Sequence, residues 1–402
     1  MRKSAKIAFL SFIISFNVYG QTAAPEYMRP SEYVFLGQFD ELLATVADTI
    51  NEGSNSQILG NYNTFLGRGD LNAELKGLPS GKACTSDGVR ELSGSAWMLD
   101  HAKDAKLIMF NENHLTLASR TFLLTHLNDL KALGFTHIGF EALLPSDDEK
   151  SIKRILAIGY YTIEPMFSAL IRNTAELGFT IFGYENVERP NPLASREEQI
   201  NVREKGQTHN ILKVLNSSSP DSKFIIYAGW SHIAEEPLPS SIPNHELRWM
   251  ASLLKEQSGI NPLTIDLTQC FYTSSNSEGW KGRIYISDSG SPLIQSTYLG
   301  AVDAQIYLPV PAVQAADAAN YYRKALGRPY QIPEHMRSGV FPVLVQARSA
   351  GVNKASVAYD RVLLRPGEDL PLYLKNGDYE ITSYKGDGSI IGEQVVQIKE
   401  VS

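Results

Sequence analysis

The chain has 402 residues, 43% of them hydrophobic and 20% charged, with a formal charge of −7. This composition excludes a long disordered chain and a collagen-like repeat, and two cysteines are too few for a disulfide-stapled scaffold. An acidic chain with no Lys/Arg run lacks the basic face that phosphate backbones require, so nucleic acid is not an expected partner.

At about 150 residues per domain, the length allows two to three domains. Residues 1–20 read as a signal peptide: Arg2, Lys3 and Lys6 form a basic start, 7–16 are mostly apolar, and Val18-Tyr19-Gly20 offers a cleavage site. The apolar run is shorter than the roughly 20 residues a membrane-spanning helix needs, and no later stretch qualifies. The mature chain is therefore expected to be periplasmic or secreted, without stable membrane insertion. Residues 21–101 read as an N-terminal helical and loop segment, with helical spacing over 33–50, loops over 51–86 and a helix over 88–102. Cys84 and Cys270 allow one disulfide or two buried thiols, and their spacing does not decide between them.

From residue 106 the pattern alternates between short apolar runs and amphipathic stretches. Strands are expected at 106–110, 137–140, 180–184, 224–228 and 263–266. Helices are expected at 115–133, 150–177 (broken near Pro165), 195–215 and 245–256. Such alternation predicts βαβ units, an α/β fold with a mostly parallel sheet and helices on both faces. This domain is expected over 102–335, with further strands at 283–286 and 306–310 and a helix over 313–326. Short strands then fill 340–347, 355–364, 370–374, 379–384 and 394–398. Asn376-Gly377 and Asp387-Gly388 are hairpin signals, so 336–402 read as a small antiparallel β-domain.

Parallel α/β sheets bind ligands at the carboxyl ends of their strands. The first expected strand runs into Asn111-Glu112-Asn113-His114. The second ends at Glu141, the third at Tyr184-Glu185, and the fourth runs into Gly229-Trp230-Ser231-His232. Four successive strands thus deliver ionisable groups to one rim. Glu112 and His114 are two apart and share a side of an extended backbone. A carboxylate beside an imidazole sets its tautomer and raises its basicity. Arg120 follows in the next helix and is placed to reach back over the rim. His232 and Glu235 have a spacing that would put them on one helix face. There is no G-x-S-x-G elbow, G-x-G-x-x-G or G-x-x-x-x-G-K, which disfavours a conventional serine hydrolase and nucleotide binding.

Asn111-Glu112-Asn113-His114, then Arg120, then Gly139-Phe140-Glu141, then Gly229-Trp230-Ser231-His232 resemble the erythromycin esterase and ChaN-like superfamily over about 102–267. The resemblance implies an α/β sheet whose first strand ends in a glutamate–histidine motif, with a downstream arginine, a second glutamate and a late histidine. Asn111 stands where that family has glycine, and the Glu-x-His spacing is nearer to the ChaN-type proteins than to the macrolide esterases.

The expected function is an exported hydrolase acting on an ester or related acyl bond of a small-molecule substrate. His114 activates water, and Glu112 and Glu141 orient the imidazole or order that water. Arg120 stabilises negative charge, His232 donates a hydrogen bond or proton, and Glu185 is a further acid or orienting group. No cofactor is required by this reading. Zinc on two histidines and two carboxylates is a variant. A non-enzymatic haem- or iron-binding protein of ChaN type is the alternative the resemblance implies, with Tyr160, Tyr161 and Tyr184 as candidate contacts.

Overall fold

The structure, a computed structural model, describes residues 56–74, 89–146, 161–188, 191–238, 247–274, 280–295, 298–312, 317–337, 341–352 and 356–399. The signal peptide, the 33–50 helix, Cys84 and Tyr160 lie outside them. Cys270 is disulfide-bonded.

A parallel sheet organises the first part of the chain. Its strands are β2 (Leu107–Glu112), β3 (Phe135–Phe140), β4 (Thr180–Gly183), β5 (Lys223–Gly229), β6 (Leu263–Asp266) and β9 (Ala304–Gln305), in the order β4-β3-β5-β2-β6-β9. Every residue of β2 is buried, which explains its continuous apolar run. Its side chains alternate between two cores. Ile108 and Phe110 pack with Phe122, Leu123 and Leu127 of helix α3 (Ala118–Ala132). Leu107 and Met109 pack with Ile211 of α5 (Arg196–Ser217) and with Met250 and Leu254 of α6 (Met250–Ser258). Ser195 starts α5 with a capping box to Glu198. No helix among the described residues is long and apolar enough to cross a membrane.

The C-terminal part is an antiparallel sheet in the order β13-β12-β15-β16, built from β12 (Val343–Ser349), β13 (Asp360–Leu364), β15 (Gly377–Tyr384) and β16 (Ile390–Ile398). It has its own core of Val343, Val345, Val362, Leu364 and Ile381. Asp387-Gly388 joins the paired strands β15 and β16, as a hairpin signal should, with Gly388 at φ +83°. This sheet is not separate from what precedes it. Leu363 N–H donates to the Leu66 carbonyl at 3.0 Å. β7 (Phe271–Thr273) pairs with β10 (Leu308–Val310). β11 (Arg328–Tyr330) pairs with β14 (Leu372–Leu374), so strand pairing crosses the expected boundary at 335/336.

Three local expectations are corrected. The helix expected over 88–102 is split: β1 (Arg90–Ser93) pairs with β8 (Arg283–Ile286), and α2 (Gly94–Ala102) starts only after Ser93 caps the Ala96 N–H. The helix expected over 313–326 is two short 3-10 turns within the described residues, Ala318–Asn320 and Arg323–Leu326. Arg323 is drawn onto Asp360 and the Pro371 carbonyl instead. Asn376-Gly377 does not make a hairpin of its flanking strands, because β14 pairs with β11 while β15 pairs with β12 and β16.

Candidate functional site

The carboxyl ends of β2, β3, β4 and β5 share one rim, because these strands are parallel neighbours. Glu112 is the last residue of β2 and is buried. Its Oε1 accepts from His114 Nδ1 at 2.7 Å and from Arg120 Nη2 at 3.0 Å. Its Oε2 accepts from Arg120 Nε at 2.7 Å and from the Tyr227 hydroxyl at 2.9 Å. Burial alone would raise the Glu112 carboxyl, but Arg120 and His114 outweigh it and hold it down at about 2. Arg120 is fully buried and spends its remaining reach on Glu164, 3.1 Å from Nη1.

Glu164 is the N-cap of α4 (Pro165–Glu176) and accepts the Met166 and Phe167 N–H groups at 2.7 Å each. Just before it, Tyr161 stacks on the His114 ring at 4.2 Å and 16°. The imidazole is therefore gripped at Nδ1 and on one face, and its side chain is 20% exposed.

The Nε2 edge of His114 faces Gly229, the end of β5. A methyl group on Gly229 would stand 2.6 Å from His114 Nε2 and 3.2 Å from Glu141 Oε2, so only glycine fits there. Gly229 N–H donates to Glu141 Oε2. Trp230 then turns the chain at φ +39°, an uncommon conformation for a bulky residue, before a short 3-10 turn (Trp230–Ile233) carries His232.

His232 belongs to a second network. Its Nδ1 donates to Glu204 Oε2 at 3.0 Å, and Glu141 Oε1 lies 3.3 Å from Nε2. Burial would push this imidazole down, but Glu204 and Glu141 overcome it and raise it to about 10. The His232 imidazole is thus drawn towards the charged form, and Arg203 Nη1 approaches Nε2 at 3.1 Å beside Glu141. Arg203 Nη2 also donates to Glu141 and Glu185, and its Nε reaches Glu185 Oε1 at 3.0 Å. Gln207 Nε2 completes the hold on Glu185 at 3.1 Å.

All six expected site residues meet in these two adjoining networks, with one change of geometry. Arg120 does not lie over the rim but under it, saturated by Glu112 and Glu164, so it orients Glu112 and does not face a substrate. The accessible cation is Arg203, 26% exposed. Glu235 does not join His232: it bonds Lys255 and the Thr264 hydroxyl. Asn111 is a structural tie, donating to Asp266 and the Trp230 carbonyl and accepting from Leu267 N–H.

Sequence reasoning missed Arg203, Glu204, Glu164 and the hydroxyl of Tyr227. Glu204, Gln207 and Thr208 form a polar stripe on α5 that is buried, which the sequence pattern does not mark. Among the described residues no group of three or more His, Cys, Asp or Glu side chains is arranged to hold a metal ion.

No protein-family model matches the chain, and no curated protein does. Solved structures similar to it include bacterial effectors and toxins. RRSP, a MARTX toxin effector domain from Vibrio vulnificus CMCP6, is 18% identical over 56% of this chain and 40% of its own length, with a TM-score of 0.34. The C-terminal region of Pasteurella multocida toxin, described as having a thiol-protease-like catalytic triad, is 10% identical over 74% of this chain and 34% of that one, with a TM-score of 0.33. The type III effector HopBA1 is 14% identical over 56% of this chain and 97% of its own, with a TM-score of 0.31. Likeness at that level assigns neither fold nor activity to this chain.

Proposed function

We propose that the protein is an exported hydrolase in which His114 activates a water against an ester or related acyl bond. The observation that carries this is the hold on His114: Nδ1 donates to the Glu112 carboxylate, which leaves Nε2 as the lone-pair nitrogen on the rim. Nε2 takes a proton from water as the oxygen attacks the acyl carbon. The tetrahedral intermediate collapses, the acyl–oxygen bond breaks, and the same proton passes to the leaving oxygen. Glu112 stabilises the imidazolium formed in between. Glu141 Oε2, near the same Gly229 edge, orders the water. Arg203 and His232 supply positive charge where negative charge develops. The resemblance to the erythromycin esterase and ChaN-like superfamily is compatible with this chemistry.

Less supports the cofactor-bound variants. Zinc on His232 Nε2 would meet the Arg203 guanidinium at 3.1 Å, a cation where the ion would have to sit. Haem on His114 would need room for a porphyrin at Nε2. Tyr161 covers one ring face, so a porphyrin would have only the other side from which to enter.

The test begins with a native mass spectrum of the full chain, followed by a panel of small esters, thioesters and lactones. The proposal expects polypeptide mass and turnover of at least one class. Bound haem, or no turnover across the panel, sinks it.

A further inference from the structure

Arg361 on β13 is fully buried, and no ion pair joins it among the described residues. Its Nη1 donates to the Phe65 carbonyl at 2.5 Å and the Ile163 carbonyl at 3.2 Å. Its Nε donates to Gln346 Oε1 at 3.0 Å, and Nη2 has no partner. Burial and the nearby Arg348 push the guanidinium down to about 9. Glu164 and Asp360 act on it only at longer range than an ion pair, and burying a cation so is costly, so an apolar residue of similar volume would fill the space with less penalty.

What the cation holds is the segment that shapes the site. Ile163 closes the short 3-10 turn Tyr161–Ile163. One end of that turn stacks Tyr161 on His114, and the residue after it is Glu164, the partner of Arg120. The Arg120 guanidinium carbon also lies 5.7 Å from the Tyr161 ring centre. On the other side, Arg361 grips the end of α1 (Ser56–Phe65) through Phe65. The contact is close: Gly67, at φ +72°, has no room for a side chain, because a Cβ would stand 1.8 Å from the Arg361 carbonyl oxygen.

We propose that the C-terminal β-unit completes the site through Arg361, a positioning residue that holds residues 161–164 against His114 and Arg120. This rests on His114 being the working base. The β-unit is then part of the hydrolase rather than an appended module. Arg361 touches neither substrate nor His114; it acts through Tyr161 and Glu164.

The test is proton NMR of the His114 ring in the full chain, with its signals assigned by their loss in His114→Ala. Stacking on Tyr161 displaces them upfield, and Tyr161→Leu gives the unstacked positions. Arg361→Met is expected to move them at least halfway to those positions. On any ester the protein turns over, it should also lower kcat by about tenfold with KM little changed. Should Arg361→Met fail to fold, Arg361→Lys keeps the charge but not the fork and should move the signals partway in the same direction. A folded Arg361 variant with His114 signals at wild-type positions overturns the proposal. If wild type turns over no ester, the hydrolase reading fails, while the ring shifts still decide whether Arg361 positions His114.

Discussion

His114 and His232 follow neighbouring strands of one sheet, yet they are built for opposite work. His114 hydrogen-bonds one carboxylate, already matched by Arg120 and the Tyr227 hydroxyl, while Glu141 acts on it from the Gly229 side without a hydrogen bond. Its second nitrogen faces Gly229, the end of β5. His232 has a carboxylate near each nitrogen and is buried, which makes it a cation at neutral pH. Contact with two carboxylates is what holds the charge on His232.

The comparison breaks most severely at Glu112. Glu112→Ala leaves Arg120 buried with Glu164 alone, and a buried pair cut at one partner typically loses about 3–5 kcal/mol. Denaturant unfolding of variant and wild type measures this. Glu204→Gln, which alters the His232 side instead, should spare the Glu112–His114 hydrogen bond.

Gly229→Ala sharpens the comparison at the one point where the networks touch. The added methyl would lie 2.6 Å from His114 Nε2, so the ring must move. A displacement on the order of 1 Å costs about 10²-fold in rate, and activity should fall by that much in a protein that still unfolds cooperatively. Wild-type kinetics in Gly229→Ala would mean that Nε2 is not the working atom. Tyr227→Phe removes one donor to a buried carboxylate and should cost about 1.5–3 kcal/mol, read from the denaturation midpoint at constant slope.

The pH dependence separates the two histidine networks by sign. The Glu112 carboxyl is held below its ordinary 4.5, at about 2, so its stabilisation is present above 4.5 and is lost as pH falls towards 2. The His232 imidazole is held above its ordinary 6.5, at about 10, so its stabilisation is present below 6.5 and is lost as pH rises towards 10. These two groups together favour a stability maximum between about 4.5 and 6.5. Glu204→Gln should flatten the alkaline limb and leave the acid limb. A wild-type alkaline limb in that variant would contradict the cationic role of His232.

Much of the rim was legible because buried parallel strands are continuous apolar runs and their polar ends stand out. β6 matches its expected span, Leu263–Asp266. Other parts were hidden by the same physics. Arg203 and Glu204 sit in a helix whose pattern reads as a solvated surface, since sequence periodicity marks apolar faces and not polar ones that find partners. Glu164 lies where the helix expected over 150–177 breaks near Pro165; it caps α4, and its second task depends on Arg120 from a distant helix. β1 is four residues long and pairs with a strand nearly 200 positions away, so no local pattern announces it. Arg361 is one more charged residue in a strand until the structure places it under the Ile163 carbonyl.

The most direct test of the account compares wild type with His114→Ala on the best substrate of an ester panel, at matched folded content by circular dichroism. The account predicts a fall in kcat/KM of about 10²–10⁴-fold, the usual worth of a general base. Equal turnover by the two proteins would contradict it and remove His114 from the chemistry.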